Sequence, residues 1–228
     1  GLQANDLQNP APHRGQNQPL AYYSAPSGIR SHYDVLSDLG ARQAARAGAV
    51  LPRDAYAISG TLRRHRDSAA AAGFAGAEAD PAWNEFDYLD IIAVAHPGLG
   101  NMPALRAHLA HEPAPMQAFQ ALYEEAVARW MEADGNSYRE SRRDFVTRVE
   151  GALERASGKG DAVVFTSGGV ISALVAGLLD LTPAAARRID RVLVNAGITT
   201  ITTGRRGPQL LALNAQTHLQ EDGFVTFR

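Results

Sequence analysis

Two short segments combine residue types that can hold an anion. In the first, Ser59-Gly60-Thr61-Leu62-Arg63-Arg64-His65-Arg66-Asp67-Ser68-Ala69, a serine and a glycine are followed by three arginines, Arg63, Arg64 and Arg66. If a helix begins near Thr61, its first unpaired N–H groups and its positive dipole end face whatever lies at the preceding strand's end. An arginine in that turn adds a forked, charge-assisted contact worth roughly 1.5 to 3 kcal/mol. The plain alternative is three solvated arginines at a helix start. The second segment, Thr166-Ser167-Gly168-Gly169, offers the same physics, because glycines let backbone amides approach a ligand closely. It is not a Gly-x-Ser-x-Gly nucleophile elbow, since Phe165 stands where the first glycine would be.

The elements that must position these groups follow from pattern. Tyr56 to Ile58 reads as a short buried strand turning into a helix from Leu62 to Ala72, and Ala162 to Thr166 as a second strand turning into a helix from Val170 to Leu179. Ser37 caps a helix that leaves at Pro52, and Thr182-Pro183 starts another with a cap and an N1 proline. Helices are expected from Met116 to Glu132 and from Tyr138 to Ala156; the run Ile91 to Ala95 is open between strand and helix. Val192 to Val194, Ile198 to Thr202, Leu210 to Leu213 and Phe224 to Phe227 read as strands. Residues 1–32 hold no run that looks like a buried strand and read as an irregular segment ahead of one α/β domain, 33–228. Strands alternating with helices predict a three-layer α/β/α sandwich around a mostly parallel sheet, with ligands at the strands' carboxyl ends.

Composition narrows the chemistry. The 228 residues carry a formal charge of -2 and no cysteine, which argues against nucleic acid or an anionic membrane as partner and removes thiol chemistry. Lys159 is the one lysine, so Schiff-base and P-loop chemistry have almost no source. No segment has the length or order of a membrane span or signal peptide, and a cytoplasmic location is expected. His108, His111 and Glu112 stand at helical spacing without a third ligand nearby, so no metal is expected. His65 reads as a solvated helix position or a pocket rim.

Five segments in order resemble the histidine phosphatase (phosphoglycerate mutase-like) superfamily. Leu36-Ser37-Asp38-Leu39-Gly40 with Gln43-Ala44 is similar to its Leu-(Ser/Thr)-x-x-Gly-x-x-Gln-Ala segment, and Leu62-Arg63-Arg64 with Ser68-Ala69 to its Leu-x-Arg-x-x-x-(Thr/Ser)-Ala segment. Trp83-Asn84-Glu85 resembles its proton-donor segment, Val164-Phe165-Thr166-Ser167-Gly168-Gly169 its Ser-His-Gly-Gly turn, and Asn195-Ala196-Gly197-Ile198-Thr199 its Asn-x-x-Ile-Thr. Pro12-His13-Arg14-Gly15 holds the residues of its Arg-His-Gly motif with the first two exchanged.

The resemblance implies a metal-independent, cofactor-free phosphatase acting through a phosphohistidine on a small phosphorylated metabolite or phosphoprotein, with inorganic phosphate as product and a homodimer allowed for. In its terms His13 is the nucleophile, Glu85 the proton donor, and Arg14, Arg64, Ser167 and Gly168 bind phosphate. Ser167 replaces the family's second histidine, which weakens the seat by about 1 to 2 kcal/mol, because a neutral hydroxyl donates less strongly than an imidazolium. The alternative is a catalytically degenerate, phospholigand-binding or interaction protein on the same fold.

Overall fold

The computed structural model describes residues 18–24, 34–133, 137–221 and 223–227. One six-stranded sheet organises them. In chain order its strands are β1 (Gln18–Ser24), β2 (Tyr56–Ser59), β3 (Glu78–Ala79), β4 (Ala162–Thr166), β5 (Ile198–Gly204) and β6 (Gly207–Ala215). In space they run β3-β2-β4-β1-β5-β6. The first four are mutually parallel, and β5 and β6 close one edge as an antiparallel hairpin.

Burial along β4 shows why this is a three-layer sandwich. All five of its residues are buried, and their side chains alternate between two separate cores. Val163 and Phe165 join Ala44, Ala47, Phe74 and Leu219 on the side of α1 (Asp38–Val50) and α2 (Arg63–Ala71). Ala162 and Val164 join Phe145, Val149, Val170 and Leu174 on the other side, under α6 (Arg142–Ser157) and α7 (Gly168–Leu178). The remaining helices, α3 (Tyr88–Ala95), α4 (Met102–Leu109), α5 (Pro115–Glu132) and α8 (Pro183–Val192), extend this second layer. Each side of the sheet therefore has its own apolar cluster, as the expected α/β/α architecture requires. No described helix is long and apolar enough to cross a membrane.

Local chemistry explains most boundaries. Ser37, Ser141 and Thr182 accept from the third amide of their helices at 3.0, 3.1 and 3.3 Å. Asp87 caps α3 through Leu89 and Asp90, which resolves the ambiguous run Ile91 to Ala95 as helix.

Three expectations are corrected. Residues 1–32 are not irregular throughout, because Gln18–Ser24 forms β1 in the middle of the sheet, paired in register from Leu20↔Ala162 to Ser24↔Thr166. Pro19, which lacks a donor, stands before the β4 ladder begins and opposite Thr202 in the β5 ladder. Val192 to Val194 is the end of α8 and its exit, with Val194 making an isolated bridge to Phe227 instead of a ladder. Phe224 to Phe227 likewise contributes only that bridge.

Candidate functional site

Because β1, β2 and β4 are parallel and in register, Ser24, Ser59 and Phe165-Thr166 finish at one edge of the sheet. The Gly60 amide, the first beyond β2, donates to the Phe165 carbonyl at 3.0 Å and keeps the two strand exits side by side. From these exits α2 and α7 depart, so their first turns face each other across the end of the sheet, where open parallel sheets bind ligands.

Arg64, His65, Ser68 and Ala69 form the buried face of α2, whereas Arg63 points outward and pairs with Asp67. Of the arginines in this segment, Arg64 is the one driven inward, at 1% exposure. Its Nη2 donates to Ser167 Oγ at 3.2 Å and its Nη1 to Asp34 Oδ1 at 3.2 Å. A guanidinium stays charged under all working conditions, so burying it requires anionic company. Asp34 supplies such a partner on the solvent side.

The amides at the start of α2 are committed elsewhere. Asn84 Oδ1 accepts from Thr61 N at 2.7 Å and Leu62 N at 3.4 Å, and Asp34 accepts from Arg63 N at 2.8 Å and Arg64 N at 3.2 Å. The expectation of unpaired N–H groups at this helix start is therefore corrected: α2 offers a side chain, not a backbone cradle. Two side chains remote in sequence cap it, and local reading of the segment does not see them.

At the opposing turn Ser167 is the N-cap of α7, and Gly168 and Gly169 are already its first helical residues. Glu85, 8% exposed, accepts from Gly169 N through Oε2 at 3.1 Å. The expected groups Arg64, Ser167, Gly168 and Glu85 thus gather on two facing helix starts. His13 and Arg14 lie outside the described residues. His65, read from sequence as a rim or solvated position, is fully buried with Nε2 2.6 Å from Ser167 Oγ. The signal that finds it is face arithmetic: positions 64, 65, 68 and 69 lie on one side of a helix.

Glu85 is held by the turn before it. Arg148 Nη1 donates to the carbonyls of Ala82 at 2.8 Å and Asn84 at 3.1 Å, and Thr166 Oγ1 donates to the Trp83 carbonyl at 2.6 Å. The Arg148 fork also pairs with both Glu140 oxygens, at 2.6 and 2.8 Å. Replacing Arg148 with alanine is expected to cost roughly 1.5 to 3 kcal/mol, the range for hydrogen bonds to a charged group. With Glu85 as the expected proton donor, its loosening should then lower kcat about ten-fold with phosphate affinity unchanged. Chemical denaturation and calorimetric phosphate titration check the two halves separately; a variant that loses phosphate affinity first would disprove the assignment of Arg148 to the Glu85 turn.

Comparisons with known proteins agree with this fold. The family model described as histidine phosphatase superfamily (branch 1) matches residues 106–216, which include the Ser167 turn and the Asn195 segment. No curated protein sequence matches significantly. Among solved structures, a mycobacterial glucosyl-3-phosphoglycerate phosphatase is similar at 22% identity and TM-score 0.58, covering 88% of this chain and 100% of its own. The alpha-ribazole phosphatase from Shigella flexneri is similar at 17% identity and TM-score 0.59, covering 87% and 96%. A phosphoserine phosphatase mutant from Entamoeba histolytica, solved with phosphoserine, is similar at 18% identity and TM-score 0.56, covering 88% and 98%. The fold is thus shared over nearly the whole described length, and residues 106–216, which include the α7 turn, match the histidine phosphatase superfamily model.

Proposed function

We propose that this chain is a phosphomonoester hydrolase that seats the phosphoryl group between the first turns of α2 and α7. The observation that carries the reading is the buried Arg64 guanidinium aimed at Ser167 Oγ at the start of α7, with the Glu85 carboxylate on the same turn. Arg64, Ser167 and the Gly168 amide would hold the phosphoryl oxygens, and Arg14 would join them. Glu85, protonated, would deliver a proton to the leaving oxygen and then, as carboxylate, take one from the attacking water. The similar structures are named for small phosphate esters, and a small phosphorylated metabolite or a phosphoprotein in the cytoplasm fits a site of this kind.

His13 is the proposed nucleophile. It stands five residues before Gln18, while the site lies at the far end of β1, about 20 Å along the strand. That separation favours a second reading, a phospholigand-binding protein without turnover. The stretch 25–33, between β1 and Asp34 in sequence, carries one imidazole, His32.

One experiment separates the readings. Turnover of a generic aryl phosphate and calorimetric binding of inorganic phosphate are measured on the wild type and on His13→Ala. Binding with turnover that His13→Ala abolishes supports the hydrolase and its nucleophile. Turnover that survives His13→Ala supports the hydrolase and removes His13. Binding without turnover establishes the second reading, and absence of both ends the phosphate assignment.

A further inference from the structure

We propose that His65 is a positioning residue of the phosphate seat, acting through Ser167 by fixing that hydroxyl as a hydrogen-bond donor toward the bound phosphoryl group. The proposal rests on the reading of this site as a phosphate seat.

The case begins with the hydroxyl's capacity. Ser167 has one proton to give and two lone pairs to receive with. Arg64 can only donate, so its Nη2 at 3.2 Å occupies one lone pair. His65 Nε2, at 2.6 Å, then decides the rest. If Nε2 is bare, the hydroxyl proton is spent on the ring and Ser167 has nothing left for a ligand. If Nε2 carries a proton, it fills the second lone pair, and the hydroxyl proton is free to turn to a phosphoryl oxygen. A phosphate dianion at the α7 turn selects the second state, because there it gains a donor whose oxygen is polarised by two N–H groups at once.

The pocket around the ring is built to hold it. A Cβ at Gly60 would lie 2.2 Å from His65 Nδ1 and 2.8 Å from Asn84 Oδ1, so glycine at the β2 exit is what lets the imidazole pack against the turn. The ring has no exposure to solvent and lies between β2's exit and α7's start. A leucine or methionine would fill such a space without the cost of burying two ring nitrogens. The contact with Ser167 gives the imidazole a reason to be there. It also bears on the neutral hydroxyl at position 167: with His65 and Arg64 both donating into it, the serine becomes a stronger donor than a lone hydroxyl.

A nucleophilic role for Ser167 is disfavoured by the same contacts. Arg64 occupies a lone pair of Oγ, and Glu85, the proposed proton donor, is hydrogen-bonded to Gly169 N on the turn that carries Ser167, so the two are neighbours and not opposed as in-line displacement needs.

The test is a double-mutant cycle read by calorimetric titration with inorganic phosphate, on His65→Leu, Ser167→Ala and the pair. His65→Leu is expected to weaken phosphate binding about ten-fold, in line with the loss of one assisted hydrogen bond. In the Ser167→Ala background the same change should alter binding less than about two-fold, because the intermediary is already gone. A merely structural His65 would weaken both backgrounds equally, and that result overturns the proposal, as does unchanged affinity in His65→Leu. His65→Gln, which keeps an N–H donor, should recover most of the loss; if it is folded and as weak as His65→Leu, donation is not the cause and the proposal fails. Should His65→Leu not fold, the cycle is run with His65→Asn, whose amide is too short to reach Ser167. Loss of phosphate binding in the wild type would remove the phosphate seat itself, a result distinct from any of these.

Discussion

Replacing Arg64 with alanine is expected to lower kcat/KM for an aryl phosphate by about 10²- to 10³-fold, the range seen when a fixed donor to a developing charge is removed. The large effect follows from burial. Arg64 is 1% exposed, so water does not take over its role, and its Nη2 reaches the Ser167 hydroxyl that marks the start of α7. Phosphate affinity should fall in parallel, because the guanidinium meets the oxygens in the ground state as well as during transfer. Arg64→Lys should recover only part of the loss, since a single ammonium cannot reach Asp34 and Ser167 together as the fork does. Arg63→Ala is the control: Arg63 is exposed and pairs with Asp67, and its loss should change activity less than two-fold. Stability must be measured alongside, because Arg64→Ala also leaves Asp34 without its side-chain partner. Phosphate binding retained within about three-fold in a folded Arg64→Ala protein would remove this residue from the site.

The contrast between Arg63 and Arg64 shows what sequence could and could not disclose. The family-like spacing from Arg64 to Ser68-Ala69 picked out the buried arginine, and the helix face that carries 64, 65, 68 and 69 explains why that spacing works. Caps made by neighbours in the chain, such as Ser37 and Thr182, were legible because the donor lies three residues away. Caps made by distant residues were not. Asp34 and Asn84 occupy the amides of α2 from about 30 and 20 residues away, and only the folded chain places them there.

β1 was illegible for a related reason. Gln18–Ser24 opens with glutamine and proline and has no β-branched residue, so its local preference is weak. Its place is set by pairing with β4 on one side and β5 on the other. This matters for function as well as fold. The motif expected near residue 13 belongs, in family terms, at the carboxyl end of the central strand, and that end is Ser24. Arg64, Glu85, Ser167 and Gly168 are therefore legible from sequence and brought together by the structure, whereas their roles and the nucleophile rest on experiment.

Gly169→Ala should separate proton donation from phosphate binding. A Cβ at this position would lie 2.0 Å from Glu85 Oε1 and 2.8 Å from the Glu85 carboxyl carbon and the Phe86 ring, a space no methyl group can share. The carboxylate must leave, giving up its 3.1 Å hydrogen bond from the Gly169 amide. The three atoms nearest that methyl position all belong to Glu85 and Phe86, so phosphate affinity should stay within about three-fold of the wild type. Activity should not, because a displaced general acid forfeits a contribution of about 10²- to 10⁴-fold. The loss should depend on the leaving group. An alkyl phosphate, whose departing oxygen is strongly basic, needs the proton and should lose about 10²-fold or more, whereas a nitrophenyl phosphate departs as a stable anion and should lose far less. Overpacking should also cost roughly 1 to 3 kcal/mol, visible in chemical denaturation. Glu85→Gln, which is close to isosteric, should reproduce the leaving-group dependence with a smaller stability loss. Equal losses for alkyl and aryl substrates in both variants would mean that Glu85 does not protonate the leaving oxygen, and its role would then be to hold the start of α7 in place.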